Sequence, residues 1–587
     1  MELTAEIPTW NGRPSGSSPP GSDRQHTQVS DSRTLLAPLL RQDIICRLSG
    51  AESPRTMTID RRSDRHPRRL TALTFRALGI VFVCAVFATA VGHVTEDRFA
   101  AVERAGWLSD YARIKDLIAG FYPGLDWSIS EGRLDLHRLD RHTQNLLEDS
   151  ESAEESEQIL RDFLGAFHDG HLRISRPGTD PVGSAPVQEP ETLSATTSGE
   201  EACRVLGYKD RDARDGGLEL AAERRFRTLG FVNPFAAGSI AIDRHIVGLI
   251  RIPSFQPAFY GRTCASEWER YRATLATTCE AACRDAFTWR MFSRLEDDLG
   301  RRIGQLRELG VHLLVVDVRH NPGGSGVLES GAEELFNGAV FPRTPIAVEP
   351  SVWMARMLDK QRALALRALA LCPAASPARR RLESVYRELD AAAAEAAIPC
   401  DRRGVWLDWG ARAPCATLVR LADPDSDALA DGETDPVTRS RILLSLEHGT
   451  PARPHWRGPL VVLTDERTGS AAEWLAGRLQ DYAGAVVVGE RTHGSGGGWW
   501  FGSIYWTLEH SGLELLIPDH ESYRRNGTSY QAGVTPDVYA RFDSRDDDNE
   551  RAHALVEGLR QALARIFAEH PRDHAIGAAS TEHGRNL

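Results

Sequence analysis

The chain of 587 residues is too long for one ordinary domain, and its apolar fraction of 41% is enough to form a large buried core. The formal net charge is -12 and the sequence pI is near 5.9, so the chain lacks the basic surface that nucleic-acid binding requires. No nucleic-acid partner is therefore expected.

The N-terminal part reads as a targeting region. Residues 1–70 are rich in Ser, Pro, Arg and Asp and predict a disordered extension. A basic cluster at 61–69 precedes an apolar run at 77–91 that is shorter than the ~20 residues of a membrane-spanning helix. With an A-x-A site at Ala88-Thr89-Ala90, residues 71–92 predict a secretory signal peptide, and Met57 is a candidate start. An uncleaved anchor through 77–91 and a buried core helix are the alternatives.

A helical N-terminal region is predicted over residues 95–175. Its last amphipathic stretch, 159–167, runs directly into Asp169-Gly170-His171. Residues 176–240 follow as a variable linker region, because the part up to 198 is rich in Pro, Gly, Ser and Thr.

Residues 241–345 predict the first part of an α/β core. An apolar strand at 247–255, a helix at 289–309 and a second strand at 312–318 give β-α-β order, which favours a largely parallel sheet. Paired glycines, Gly323 and Gly324, follow the second strand and let backbone N–H groups point at a bound oxyanion. A glycine-rich turn without a ligand is the alternative, and the spacing does not fit a P-loop.

The segment 346–455 differs from its surroundings and predicts a helical insertion. Its Ala-, Arg- and Leu-rich stretches at 353–371 and 378–397 have helical composition. A hairpin lid over the site and a passive surface excursion are both compatible with this pattern.

Residues 456–545 predict the second part of the core, and 546–587 a C-terminal helix and tail. Apolar runs at 460–463 and 486–488 enclose a helix that opens at Ser470, which gives strand, turn, helix and strand. A helix N-terminus offers free N–H groups and the positive end of the dipole. A serine there can be a nucleophile, or simply an N-cap.

The cysteines indicate an exported protein with a few disulfides. Seven of the nine cysteines lie after residue 90, and none of their spacings resembles a zinc site. Cys279 and Cys283 are expected on one helical face, and Cys400 and Cys415 bracket a short loop. The pairing stays open, and the odd number leaves one thiol free or paired between chains.

Together these segments resemble the tail-specific, or C-terminal-processing, serine peptidases and their tricorn-core relatives. The family's D-x-R-x-N-x-G-G motif matches Asp317, Arg319, Asn321, Gly323 and Gly324, and its S-A-x-E motif matches Ser470, Ala471 and Glu473. Further along, G-E-x-T-x-G matches Gly489, Glu490, Thr492 and Gly494, and G-V-x-P-D matches Gly533, Val534, Pro536 and Asp537. The resemblance implies a mixed α/β (α+β), crotonase-like ββα core. Many members carry a PDZ module, but the span before residue 247 is too short and polar to hold one.

One departure from the family pattern concerns the general base. The family's lysine follows G-E-x-T-x-G, where this chain has Ser495, and all three lysines of the chain (Lys115, Lys209 and Lys360) precede the nucleophile segment. The tricorn-like branch uses a histidine from the region before the core, and His171 matches it. His493 and His320 are rival histidines.

The site implied by the resemblance has Ser470 as nucleophile and His171 as base, and Glu473, one turn beyond Ser470, is a candidate for the orienting acid. The oxyanion hole is assigned to the N–H groups of Gly323, Gly324 and Ala471, and the accessory residues are His493 and Ser495. Glu473 could equally brace the helix start, and Asp519 and Glu521 are alternative acids. The tricorn-like branch carries a glutamate before G-V-x-P-D, where this chain has residues 529–532.

The expected function is that of an exported serine endopeptidase, periplasmic, envelope-bound or secreted. It would act on a peptide or protein substrate through an acyl-enzyme, without a metal or organic cofactor. Two alternatives remain: a non-catalytic peptide- or lipid-binding member of the same fold, and an esterase or amidase with a non-peptide substrate.

Overall fold

The computed structural model describes a large part of the chain after residue 100. The described residues are 101–177, 192–210, 223–230, 234–276, 278–338, 341, 346–371, 377–398, 402–407, 419–421, 453–499, 505–542 and 547–569. The predicted extension, the signal or anchor, and the two cysteines Cys400 and Cys415 with most of the segment between them lie outside these ranges. Within these ranges, no helix is both long and apolar enough to cross a membrane.

The described chain contains both helices and strands. The helices are α1 (101–121), α2 (Leu125–Ser130), α3 (Leu136–Asp149), α4 (Ala153–Gly165), α5 (Gly199–Val205), α6 (Gly261–Tyr271), α7 (Ala281–Glu308), α8 (Gly326–Asn337), α9 (Val352–Leu371), α10 (Pro377–Ala396), α11 (Ala471–Ala483) and α12 (Asp548–Glu569). The strands are β1 (Arg173–Ser175), β2 (Leu193–Ser194), β3 (Arg227–Thr228), β4 (Ala237–Ile242), β5 (His245–Arg251), β6 (Thr278–Cys279), β7 (Leu313–Asp317), β8 (Ile346–Val348), β9 (Val419–Leu421), β10 (Leu460–Thr464), β11 (Val486–Gly489), β12 (Gly497–Gly498), β13 (Tyr505–Thr507), β14 (Glu514–Leu516), β15 (His520–Ser522) and β16 (Val538–Tyr539).

A seven-stranded sheet in the order β16-β11-β10-β7-β5-β4-β3 forms the centre of the fold. The strands from β16 to β5 pair in parallel, and β4 and β3 add antiparallel at one edge. Both faces of the sheet are covered. Along β7, Leu314 and Val316 pack in the core shared with α7, α8 and α11, whereas Leu313 and Val315 pack in the core shared with α12. The predicted mixed α/β fold with a largely parallel sheet is confirmed.

The N-terminal helices build a separate apolar core beside this sheet. Asp135 and Ser152 cap α3 and α4 by accepting hydrogen bonds from the backbone N–H groups of Arg138 and Glu155. The apolar faces of α1 to α4 pack together with strand β14, which belongs to a small antiparallel sheet in the order β1-β14-β13. Strand β1 thereby fixes the chain that leaves α4, and the turn between them carries His171.

The insertion forms a helical hairpin. Helices α9 and α10 share an apolar core with Val348 of β8, which lies in a four-stranded antiparallel sheet in the order β12-β15-β8-β9. Arg402, after the hairpin, donates to the backbone oxygen of Tyr122 (2.8 Å) and pairs with Glu349 (2.8 Å). The insertion is therefore attached to the N-terminal helices. Its role as a lid remains a prediction.

Two disulfides lie between the linker region and α7. Cys203 of α5 is bonded to Cys264 of α6, and Cys279 of β6 to Cys283 of α7. The expectation that Cys279 and Cys283 share a helical face was wrong, because the helix begins only after Cys279. The cross-link forms at a strand–helix junction instead.

Removing the Cys203–Cys264 bond is expected to lower the free energy of unfolding by about 4 kcal/mol, because a cross-link over a long separation restricts the unfolded chain most. The two cysteines are 61 positions apart, whereas Cys279 and Cys283 are only 4 apart. Serine replacement of the short-range pair is the control and should cost about 2 kcal/mol. Urea unfolding followed by circular dichroism measures both. Equal losses would contradict the chain-entropy explanation.

Candidate active site

Ser470 sits on a sharp turn between β10 and α11. Its backbone angles are φ 53° and ψ -126°. Residues other than glycine rarely adopt this positive-φ conformation, which costs about 1–3 kcal/mol. The preceding N–H, of Gly469, donates to the backbone oxygen of Asn321 (2.9 Å). A serine on such a strand-to-helix turn projects its hydroxyl away from the sheet, as a nucleophile elbow does.

Glu473 holds this turn in place. Its buried carboxylate accepts hydrogen bonds from the N–H groups of Ser470 (3.0 Å), Gly494 (2.6 Å) and Ser495 (2.8 Å), and from the hydroxyl of Thr492 (2.5 Å). Burial raises the pKa of Glu473 to about 7, and the four hydrogen bonds act in the opposite direction. The carboxylate thus joins the start of α11 to the segment after β11.

His171 approaches the serine from the turn between α4 and β1. Its Nε2 lies 3.2 Å from Oγ of Ser470, and its Nδ1 lies 3.3 Å from Oδ1 of Asp169. The same Oδ1 accepts the backbone N–H of His171 at 2.9 Å. The imidazole is buried and meets the ring of Trp499 edge-on at 4.8 Å. The structure therefore brings Ser470 and His171 together across 299 positions of sequence.

The acid in contact with the imidazole is Asp169, which corrects the assignment of Glu473 as the orienting acid. Glu473 is tied to the first turn of α11, and both of its oxygens already accept hydrogen bonds. Asp169 lies two residues before His171, so its short side chain reaches back to Nδ1. Although burial disfavours its charged form, hydrogen bonds and the charge of His171 hold the pKa of Asp169 below its usual value.

The loop after β7 is built on a buried carboxylate. Asp317 pairs with Arg251 of β5 (2.8 Å) and with Arg319 (2.7 Å). Although burial opposes ionisation, these two guanidinium groups lower the pKa of Asp317 to about 2. The amide of Asn321 donates to the backbone oxygen of Ile252 (3.0 Å). The loop is therefore fixed to the end of β5 through both Arg251 and Ile252.

Of the paired glycines, Gly323 contacts the serine turn, but only Gly324 keeps its N–H available. Both have left-handed φ angles, 97° and 140°, and a Cβ added to Gly323 would lie 2.6 Å from Cβ of Ser470. The N–H of Gly323 donates to the side-chain oxygen of Asn321 (2.8 Å), which argues against its assignment as an oxyanion donor. Within the described chain, the N–H groups of Gly324 and Ala471 donate no hydrogen bond to protein. They are the remaining candidate donors.

The two accessory residues border the site. A Cβ added to Gly170 would lie 3.2 Å from Nε2 of His493 and 3.6 Å from Oγ of Ser495. The backbone N–H of His493 donates to the oxygen of Thr468 (2.9 Å), so the segment after β11 lies against the serine turn. His493 is exposed and Ser495 is buried.

The other rival residues have partners of their own. His320 contacts the carboxylate of Asp465, and its N–H donates to the same group at 2.9 Å. Asp519 pairs with Nδ1 of His520 (2.7 Å). Glu521 accepts the hydroxyl of Tyr523 at 2.5 Å, and burial raises the pKa of Glu521 to about 7.

Two residues that sequence reasoning did not single out extend the site behind Asp169. The hydroxyl of Tyr122 donates to Oδ2 of Asp169 (3.2 Å), and Nε2 of Gln531 donates to the hydroxyl oxygen of Tyr122 (2.5 Å). No motif contains Tyr122, and nothing in the sequence links it to residue 531. In the described ranges, no three His, Cys, Asp or Glu side chains are grouped as a metal site.

Comparisons with known proteins find similarity to one family of peptidases. Residues 418–540, which include Ser470 but not His171, match the profile of Peptidase family S41. The chain is 30% identical over 144 residues to a carboxyl-terminal-processing protease of Picosynechococcus sp., an alignment that covers 23% of this chain and 34% of that relative. It is 35% identical over 104 residues to the chloroplastic carboxyl-terminal-processing peptidase 1 of Arabidopsis thaliana, covering 17% of this chain and 19% of the relative.

Among solved structures, mature CPAF complexed with lactacystin aligns with 80% of this chain and 100% of its own chain, at 14% identity and a TM-score of 0.46. The alignments with the two sequence relatives span about a third or less of each relative's length.

Proposed function

This chain carries a peptidase family S41 domain in residues 418–540, and on that premise we propose that it is an exported serine endopeptidase. The observation that carries the proposal is the hydrogen-bond distance of 3.2 Å between Oγ of Ser470 and Nε2 of His171, together with the contact of Nδ1 with Asp169. A nucleophile, a base and an acid that orients the base are the parts that serine acyl transfer needs.

In the proposed reaction, Oγ of Ser470 attacks the carbonyl carbon of the scissile peptide bond while Nε2 of His171 accepts the hydroxyl proton. The Nδ1–H group of the resulting imidazolium donates to Asp169, which stabilises the positive charge. The tetrahedral intermediate collapses when Nε2–H gives its proton to the leaving amine. Water then attacks the acyl-enzyme, His171 accepts its proton, and the acid product leaves as Oγ is reprotonated.

The start of α11 and the loop after β7 supply the electrostatic part of this mechanism. The N–H groups of Gly324 and Ala471 can donate to the developing oxyanion, and the positive end of the helix dipole favours the same charge. Each oxyanion donor is typically worth about 10²–10³ in kcat. Because Ser470 is already held in its strained conformation, little reorganisation is needed as the charge forms.

Export is supported by the cysteines as well as by the N-terminal pattern. Disulfides such as Cys203–Cys264 and Cys279–Cys283 persist in oxidising compartments and are rare in the cytosol. The basic cluster and the apolar run at 77–91 have the order of a secretory signal. An uncleaved run would leave the enzyme attached to the membrane.

Treatment of the purified protein with a fluorophosphonate probe and with casein tests the proposal. We expect one adduct, on the peptide that contains Ser470, and casein cleavage that the probe blocks. Labelling with hydrolysis of p-nitrophenyl esters but without cleavage of casein or a peptide library would favour the esterase alternative. A protein that neither labels nor hydrolyses would be a binding member of the fold.

A further inference from the structure

Tyr122 joins three parts of the chain behind the imidazole. It lies between α1 and α2 and is fully buried. Its hydroxyl donates to Oδ2 of Asp169 and accepts from the amide of Gln531, which is buried in the segment before β16. The other oxygen of Asp169, Oδ1, contacts His171. A continuous hydrogen-bonded chain therefore runs from Gln531 to Ser470.

We propose that Tyr122 and Gln531 are positioning residues that hold the carboxylate of Asp169 in the one orientation that aligns His171 with Ser470. The inference rests on the proposed function and concerns how the base of that reaction is oriented.

A carboxylate that is held through only one oxygen can turn about its terminal torsion, because the range of angles that this torsion adopts is broad. The backbone N–H and Nδ1 of His171 both reach Oδ1 of Asp169, at 2.9 and 3.3 Å. The phenol is the contact that fixes Oδ2. With both oxygens held, the carboxylate plane and the imidazole that follows it are fixed together.

The direction of the hydrogen bonds is determined by burial and charge. Burial raises the pKa of Tyr122 well above its usual range, and the charge of Asp169 adds to this, so the phenol keeps its proton and donates it. Because the NH2 group of Gln531 is a donor without acceptor capacity, it donates to the phenol oxygen, whose own proton is used on Asp169. The charge of Glu521 also raises the pKa of Tyr122. Asp126 and Arg402, which pair with each other, flank the turn between α1 and α2 that carries Tyr122.

The main chain of Tyr122 is fixed by the insertion. Arg402 donates to the backbone oxygens of Tyr122 (2.8 Å) and Ala119 (3.4 Å), and its buried guanidinium pairs with Glu349 and with Asp126. The helical insertion thus contributes to the orientation of the base, although its helices are far from the nucleophile in sequence.

The same helical core contains a matched control. The hydroxyl of Tyr111 donates to Oδ1 of Asp140 at 2.6 Å, and Tyr111 is also buried. Asp140 pairs with Lys115 and has no contact with His171. Replacement of either tyrosine by phenylalanine therefore removes one Tyr–Asp hydrogen bond from the same core, but only one of the two bonds lies behind the imidazole.

The experiment compares the rate of Ser470 modification by a fluorophosphonate in Y122F, Y111F and the wild type across pH. We expect Y122F to lower the maximal rate constant by about 10- to 100-fold, the effect that a misplacement of about 1 Å has on a catalytic group, with little change in the probe concentration at half-saturation. Y111F should keep the wild-type values of both.

A second variant addresses the amide. In Q531E, an ionised carboxylate cannot donate to the phenol and competes with Asp169 for its proton, so we expect the same defect as in Y122F. The double variant should be little worse than either single variant, because the two residues act through one contact. The inference would be overturned if the losses of the two single variants multiplied in the double variant. It would also be overturned if the single variants, with unchanged circular dichroism, kept the wild-type rate. An unlabelled wild type would instead overturn the proposed function.

Discussion

Replacing Ser470 with alanine is expected to abolish hydrolysis, with a fall in kcat on the order of a million-fold, while the fold persists. The hydroxyl is the only part of the residue that the reaction uses, and its Oγ is the atom within 3.2 Å of the imidazole. Alanine can occupy the strained turn as well as serine can, because Glu473 holds the backbone N–H and not the side chain. Fluorophosphonate labelling, casein cleavage and circular dichroism measure the three expectations.

A second N-cap serine separates the loss of a nucleophile from the loss of a cap. The side chain of Ser198 caps α5 by accepting the N–H of Glu201 at 3.3 Å. S198A should cost about 1 kcal/mol of stability and leave hydrolysis unchanged. If S470A still labels, the nucleophile assignment fails, and the buried hydroxyl of Ser495 beside the same turn becomes the residue to replace.

Three strands of the central sheet, β7, β10 and β11, could be predicted from sequence to within one residue at each end, whereas the strand predicted at 247–255 is observed at His245–Arg251. Buried parallel strands have apolar residues on both faces, so β7, β10 and β11 appear as uninterrupted apolar runs. Because the carboxyl ends of parallel strands meet at one edge, the parallel pairing of β7 and β10 places the loops after these strands together. The contact between Gly323 and Ser470 is the result of that topology.

The partners of the polar side chains could not be predicted in the same way. A glutamate three residues into a helix has the same sequence pattern whether it braces the N-terminus or orients a base, and the choice for Glu473 depends on the segment from Thr492 to Ser495 folding back onto it. The N–H of Gly323 is taken by a local turn of Asn321. Tyr122 and Gln531 meet across 409 positions, a distance over which no periodic pattern carries information.

Replacing His171 with alanine is expected to lower kcat by a factor on the order of a million, close to the effect of losing the nucleophile, because the serine hydroxyl then has no acceptor for its proton. The control is H493A, which removes an exposed imidazole at the rim of the site and should cost far less. Near-normal turnover of H171A, with a large loss in H493A, would transfer the role of base to His493.

Asp169→Asn should lower kcat by about 10⁴-fold, less than the loss of the base itself, because an amide in place of the carboxylate favours the wrong imidazole tautomer and leaves the imidazolium unpaired. The matched change is Asp140→Asn, which converts a carboxylate that also accepts a tyrosine hydroxyl in the same helical core. Both variants lose an ionised acceptor of a phenol, so any general weakening of the helical region appears in both melting curves. Only the carboxylate that touches Nδ1 of His171 should affect turnover. Equal activities of the two variants would exclude Asp169 as the orienting acid and return the assignment to Glu473, whose change to glutamine would then have to produce the same loss.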